Sequence, residues 1–251
     1  MGNATAIFIS HLSCFSPVLR VFTAAKAITY EDADFRLSTD ERRISMPRLL
    51  IATTNRDKLR EVGPLLDGIP FEIVTLAGYA SAAAPEETGR TFEENARAKA
   101  SYYAAATGEL AVAEDSGLEI DALGGAPGVL SARWGGADAS YPERFALIYD
   151  ALRAKGALDS PARFVCAVAL ARNRDILFET RGVVEGRIAP EPKGAGGFGY
   201  DPIFFYPPLG RTLAEASDWK SAVSHRGQAF RALRAFLEQP SSGSLVSRST
   251  F

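Results

Sequence analysis

The sequence predicts an α/β fold built on a mixed sheet, and three observations carry that prediction. Between residues 46 and 239, short apolar runs with strand character alternate with longer helical segments. One helical segment opens at Thr91 with a capping-box pattern, Glu94 following three residues on, and stops at Gly108. Two apolar runs, 164–171 and 176–184, are separated only by a polar turn around Asn173 and read as an antiparallel pair.

In chain order, residues 49–53 are an apolar strand and residues 56–66 a helix closed by Asp67-Gly68. Residues 71–76 make a second strand. After the Ala-rich Thr91 helix, residues 110–114 form a strand that is expected to deliver Asp115 at its end. Residues 141–155 are amphipathic helix, with Phe145, Ile148 and Leu152 at spacings of three and four. Beyond the antiparallel pair, residues 203–206 form a short strand and residues 225–237 a closing helix. No internal repeat is present.

At 251 residues, 47% hydrophobic and 23% charged, the chain suits one sizeable globular domain or two small lobes sharing a core. A formal net charge of -2 argues against general attraction to nucleic acid or an anionic membrane, although local basic groups can still bind a small anion. Cys14 and Cys166 fit neither a disulfide framework nor a zinc spacing, and a reducing cytoplasm is expected. No apolar stretch reaches the roughly 20 residues that span a bilayer. Residues 1–30 contain no Asp or Glu and include Arg20 and Lys26, a faint likeness to a transit peptide. Ala6 departs from the myristoylation pattern. Since Met46 begins a strong first strand, residues 1–45 are expected to be an ill-ordered extension, with a mis-assigned start and a targeting signal both open. Residues 240–251 are expected to be a disordered tail.

Four groups of residues carry chemistry. Thr53, Thr54, Asn55 and Lys58 lie at a strand-to-helix junction, where free backbone N–H groups and the helix dipole favour anions. A plain helix cap beside a solvated lysine explains the same residues. Glu86-Glu87, in the loop before Thr91, and Glu114-Asp115-Ser116 offer a carboxylate each to Mg²⁺, which takes one or two protein carboxylates plus water and phosphate oxygens. Solvated acidic loops are the plainer reading, against which stands the position of Asp115 after an apolar strand, where open α/β sheets bind ligands. The run from Lys193 to Pro202 contains a formal GxGxxG, with Asp218 near the acidic offset, but it follows Pro190-Glu191-Pro192 and leads into a strand, unlike a dinucleotide fingerprint. Its Phe198 and Tyr200, expected to be exposed, suit a base-stacking platform better. Finally, Lys220, Ser221, Ser224, His225 and Arg226 cluster near the last helix. No GxSxG elbow accompanies His225, so a serine triad is set aside; Arg226 and His225 could donate to a purine carbonyl, or be surface residues at a helix start.

Together these segments resemble the inosine/xanthosine triphosphate pyrophosphatase family, the non-canonical purine NTP pyrophosphatases. The resemblance rests on IATTNRDKLREV, EETGRTFEENARAKA, AEDSGLEIDALGGAPGVLSARWGG, GAGGFGYDPIFFYP and KSAVSHRGQA, in family order over residues 48–237. It implies an elongated mixed α/β sheet with flanking helices, two lobes around a central nucleotide cleft, and a homodimer. Residues 46–239 would be the catalytic domain. The resemblance also implies that Thr53, Thr54, Asn55, Arg56, Asp57 and Lys58 hold the triphosphate with Lys99, and that Glu87 and Asp115 hold Mg²⁺. Asp115 matches the proton acceptor; Ser116, Phe198, Gly199, Tyr200, Asp201, Lys220, His225 and Arg226 match nucleotide contacts. Glu114 stands where some members have Asp, which puts the metal shell in question, and the extension before Met46 has no counterpart. The implied reaction converts ITP, dITP or XTP to the monophosphate and pyrophosphate. A related house-cleaning pyrophosphatase for other modified nucleotides and a catalytically silent nucleotide-binding protein are the competing readings. Removing residues 1–45 is expected to leave the thermal midpoint unchanged, and loss of folding would overturn their reading as an extension.

Overall fold

The computed structural model describes residues 46–79, 83–216 and 220–239, except the side chains of Lys220 and Ser221. The expected extension 1–45, the tail 240–251 and Asp218 lie outside the described residues.

Strand β1 (Arg48–Ile51) leads through helix α1 (Arg56–Leu65) to β2 (Glu72–Thr75), and helix α2 (Phe92–Thr107) leads on to β3 (Leu110–Ile120). β1 pairs in parallel with β2 on one side and β3 on the other. The alternation of a strand assigns its faces. Leu49 and Ile51 pack with Val62 and Leu66 of the α1 side, while Leu50 packs with Phe92, Ala96 and Ala100 of α2. Each such leucine, taken fully out of water, stabilises the fold by about 1.5–3 kcal/mol. The first crossover runs from β1 through α1 to β2 on one face, and the second returns from β2 through α2, on the other face, to β3 on the far side of β1. The strand order therefore reverses at the carboxyl end of β1, a topological switch point.

Local signals place these elements. The Asn55 side chain accepts from the backbone N–H groups of Asp57 and Lys58 and starts α1. Thr91 accepts from Glu94 N, as the capping pattern predicts, but the Glu94 carboxylate takes the N–H of Arg90 instead of Thr91, one residue further out. Gly108 closes α2.

The second half is antiparallel. Helix α3 (Tyr141–Ala154), with a full Ser140–Glu143 capping box, precedes β4 (Pro161–Arg172) and β5 (Asp175–Ile188). β6 (Phe204–Tyr206) and the two-residue β7 (Arg211–Thr212) follow, then α4 (Lys220–Val223) and α5 (His225–Leu237). The sheet order is β2-β1-β3-β4-β5-β6-β7. Helix α5 covers the same face as α1, through Ala229, Phe230, Leu233 and Leu237. Helix α3 packs with Leu118, Ile120, Phe164, Tyr200 and Phe204 into a separate core at the other end of the long strands.

β3 differs from expectation: it does not end at residue 114 but runs to Ile120, paired with β4 along its whole length. The polar triplet Glu114-Asp115-Ser116 breaks the apolar pattern without breaking the ladder, because each side chain finds buried partners. β1 ends beside Val112, so Asp115 still lies just beyond the carboxyl end of β1. The helix α5 matches its predicted span, while β7, α4 and the 3-10 helix Gly128–Arg133 were not anticipated.

One close approach sets where α5 begins. A Cβ added to Gly182 of β5 would stand 2.0 Å from the carbonyl oxygen of His225 and 3.0 Å from Ala229 N. Backbone cannot yield as a flexible side chain can. Gly182→Ala is expected to cost about 1–3 kcal/mol by overpacking, lowering the thermal midpoint by about 2–4 °C per kcal/mol in a domain of this size. An unchanged midpoint would show that α5 has slack against the sheet.

Candidate active site

A cavity of about 270 Å³ opens at the switch point. It is lined from the β1–α1 junction by Thr53, Thr54, Asn55 and Lys58, and from β3 by Asp115 and Ser116. Glu87 and Lys99 line it from α2 and the preceding loop, Phe198, Gly199, Tyr200 and Asp201 from the glycine-rich loop, and His225 and Arg226 from α5. Most residues singled out by sequence thus meet in one place. Arg56 and Asp57 do not line it; Asp57 pairs with Arg60 at 2.9 Å. Of the pair Glu86-Glu87, only Glu87 faces the cavity. Lys220 begins α4, and its side chain lies outside the described residues.

The two acids come together through one ammonium. Lys99 Nζ stands 2.6 Å from Glu87 Oε1 and 3.4 Å from Asp115 Oδ1. Those carboxylate oxygens are therefore no more than about 6 Å apart, the largest separation the two distances to one nitrogen allow. Asn95, one helical turn before Lys99, donates to Asp115 Oδ2 at 2.9 Å and accepts from Gly89 N at 2.8 Å. Burial pushes the Asp115 carboxyl above its ordinary pKa, and the attraction of Lys99 and the Asn95 hydrogen bond do not cancel that. Burial acts in the same sense on the more open Glu87, but Lys99, with Arg133 behind it, holds that carboxyl below its usual value. Burial also opposes the Lys99 ammonium, yet Asp115 and Glu87 keep its pKa raised. The result is an ionised acid next to one that more readily takes a proton.

Among the described residues no group of three or more His, Cys, Asp or Glu side chains is placed to hold a metal ion. Two hard carboxylates facing one cavity nevertheless fit Mg²⁺, which completes its shell with water and phosphate oxygens.

On the opposite face of β3, Glu114 turns away from Asp115 and accepts from Arg226 Nε at 2.9 and 3.0 Å. Lys58 Nζ is 3.4 Å from the same carboxylate, and the Cys166 thiol donates to it at 2.8 Å. Glu114 is therefore held by Arg226, Lys58 and Cys166 on the face of β3 opposite Asp115. Arg226 is buried and also donates to Glu61 at 2.5 Å and Ser116 Oγ at 2.9 Å. Of its five N–H groups, these bonds leave one on each terminal nitrogen for a ligand. Its guanidinium lies 5.4 Å from the Phe198 ring centroid, and the His225 ring stacks on Phe164 at 4.9 Å.

Tyr200 corrects the expected stacking platform. It is buried, donates to Ser131 O at 2.8 Å and meets Tyr141 edge-on at 5.4 Å, so it builds the cavity wall. Phe198 alone of the two rings is partly open. Asp201, also buried, accepts from Phe198 N at 2.8 Å and shapes that loop. Sequence reasoning missed Asn95 and Glu61. Asn95 was recoverable, since Thr91, Asn95 and Lys99 are spaced by four along one helix face; Glu61 carried no local signal.

The Ham1 family model matches residues 49–236. The chain is 47% identical over 189 residues to a protein of an Exiguobacterium species named dITP/XTP pyrophosphatase, covering 75% of this chain and 95% of that one. A Geobacter sulfurreducens protein of the same name is 44% identical over 193 residues, covering 76% and 97%. Among solved structures, a HAM1 protein from Coxiella burnetii matches with a TM-score of 0.72 and 43% identity, covering 76% of this chain and 98% of that one. A nucleoside-triphosphatase / dITP/XTP pyrophosphatase from Mycobacterium abscessus matches with a TM-score of 0.62 and 40% identity, covering 76% and 100%.

Removing one partner of the buried Glu114–Arg226 pair would leave the other charge uncompensated in the interior. Burial alone would raise the Glu114 pKa, but Arg226 and Lys58 hold it far below the ordinary 4.5. A depressed carboxyl contributes stability that is fully present above its unfolded value and is lost as pH falls. Glu114→Gln is expected to cost about 3–5 kcal/mol near neutral pH, as when one partner of a buried pair is removed. Below about pH 4.5 the difference from the parent protein should shrink, because the unfolded parent then takes up a proton that the folded one, with its Glu114 carboxyl held far lower, does not. Denaturant unfolding of both proteins across that range checks this, and a difference constant with pH would contradict it.

Proposed function

The chain belongs to the Ham1 family, and on that premise we propose that it hydrolyses deaminated purine nucleoside triphosphates, ITP, dITP and XTP, to the monophosphate and pyrophosphate. The observation that carries this reading is the meeting of Glu87 and Asp115 around Lys99, next to the Thr53–Lys58 junction. Helix α1 presents its N-terminus to the cavity there, with Thr54 and Asn55 lining it, an arrangement that favours phosphate.

Glu87 and Asp115 would hold Mg²⁺, which when bound withdraws charge from the phosphate oxygens. Asp115, raised in pKa and oriented by Asn95, takes a proton from the attacking water. The water oxygen forms a bond to the α-phosphorus. The bond from that phosphorus to the bridging oxygen breaks, and its electron pair leaves with pyrophosphate. Lys58 and Lys99 stabilise the charge that develops there. Positioning and electrostatics supply most of the acceleration in such chemistry. At the base end, hypoxanthine and xanthine offer an acceptor at O6, whereas adenine offers a donor. Facing the remaining N–H groups of Arg226, adenine leaves a buried donor unpaired at a cost of about 1–3 kcal/mol. The same reading takes a second copy of the chain as partner and the cytoplasm as compartment. No described helix is long and apolar enough to cross a membrane.

A panel of triphosphates at one concentration, with released pyrophosphate measured, tests the assignment; faster turnover of dTTP or UTP analogues than of dITP would overturn it. Asp115→Asn should abolish turnover while leaving ITP binding within about tenfold, a change of at most ~1.4 kcal/mol. Retained turnover would remove Asp115 from the role of base.

A further inference from the structure

We propose that Arg133 is a further substrate contact, the residue that receives the pyrophosphate end of the triphosphate. This deepens the reading above and rests on it. Arg133 ends the 3-10 helix Gly128–Arg133, and its Nη1 stands 3.7 Å from Glu87 Oε2. The other oxygen of that carboxylate is the one that meets Lys99. Glu87 therefore has a cation on each side, and only Lys99 was legible as a phosphate ligand. The two residues before Arg133, Ser131 and Ala132, line the cavity.

The mount of Arg133 is rigid although its side chain is not enclosed. Ser131 Oγ accepts from Leu118 N at 2.9 Å and donates to Gly128 O at 2.6 Å. Tyr200 donates to the Ser131 carbonyl, and Arg144 Nε donates to the Trp134 carbonyl at 3.1 Å. A Cβ on Gly117 of β3 would stand 2.3 Å from Ser131 Oγ, so the 3-10 helix is seated directly on the strand that carries Asp115. The side chain of Arg133 keeps 44% of its exposure at the end of this fixed support. Pre-organisation of this kind lowers the ordering cost of a contact made only when ligand arrives.

Charge accounting explains why such a contact is needed. Lys58 faces Glu114, and Lys99 is divided between Glu87 and Asp115. Both lysines act at the phosphates while keeping these carboxylate partners, so a further cation beside Glu87 adds to the charge they supply. Arg133 has Glu87 alone as its ion-pair partner among the described residues. With Glu87 engaged by a metal, the guanidinium would be free to face the terminal phosphates, where its planar fork could hold two phosphate oxygens at once.

Calorimetric titration of inorganic pyrophosphate and of dIMP into the full chain, in Mg²⁺ buffer, tests this. Arg133→Ala should weaken pyrophosphate binding by about tenfold or more, as loss of a charge-assisted hydrogen bond does. Binding of dIMP should be unchanged, and Arg133→Lys should recover part of the loss. Unchanged pyrophosphate affinity, an equal loss for both ligands, or no pyrophosphate binding by the parent chain would overturn the proposal. So would a loss that saturating Mg²⁺ restores, which would mean that Arg133 acts only by orienting Glu87. If the parent chain binds pyrophosphate through Arg133 yet releases none from dITP, the proposed activity falls and the contact stands.

Discussion

The strict alternation of side chains along β3 is the constraint on which the site depends. Three consecutive polar residues sit in the middle of a strand that is paired along its length, so they must divide between its two faces. Glu114 and Ser116 turn toward α5 and grip Arg226, while Asp115 turns toward α2 and meets Lys99 and Asn95. One strand therefore supports two unlike polar networks, and both reach the same opening because β1 stops short. A shift of register by one residue would exchange the faces and bury each acid against the wrong partners.

Both networks are nearly neutral before any ligand arrives. Burying an ion is costly unless its partners are in place, and here each buried acid has a cation and at least one further donor. On the α5 side the pairing is dense, with Glu114 shared by Arg226, Lys58 and the Cys166 thiol. That density suits a part of the site that holds its shape. On the α2 side the contacts are fewer and more open, and a ligand carrying its own charge and metal can exchange them. The difference in pKa direction between Glu87 and Asp115 follows from the same geometry, since the deeper acid loses more water.

Much of this was legible in the chain. Periodicity and caps located the principal helices, and α5 keeps its predicted limits because Ser224 caps it and its apolar face repeats cleanly. The strands were harder, as a one-dimensional pattern ends where polar residues begin. Glu114-Asp115-Ser116 ended a predicted strand that in fact continues, for hydrogen-bonded partners from α2 and α5 substitute for water. Tyr200 was misplaced for a related reason: flanking glycines suggest exposure, but the tyrosine folds back onto Tyr141 and Phe145. Glu61 could not be found from sequence, because its role depends on a partner 165 positions away. The resemblance to the pyrophosphatase family supplied roles that spacing left open, above all for Lys99.

The outer strands of the sheet have a consequence of their own. β2 has four residues and β7 only two, whereas the inner strands β4 and β5 have 12 and 14. Long, flat margins recruit extended segments from other molecules, and short ones offer little backbone for that. With its longest ladders in the interior, the described sheet offers little free edge backbone for lateral growth.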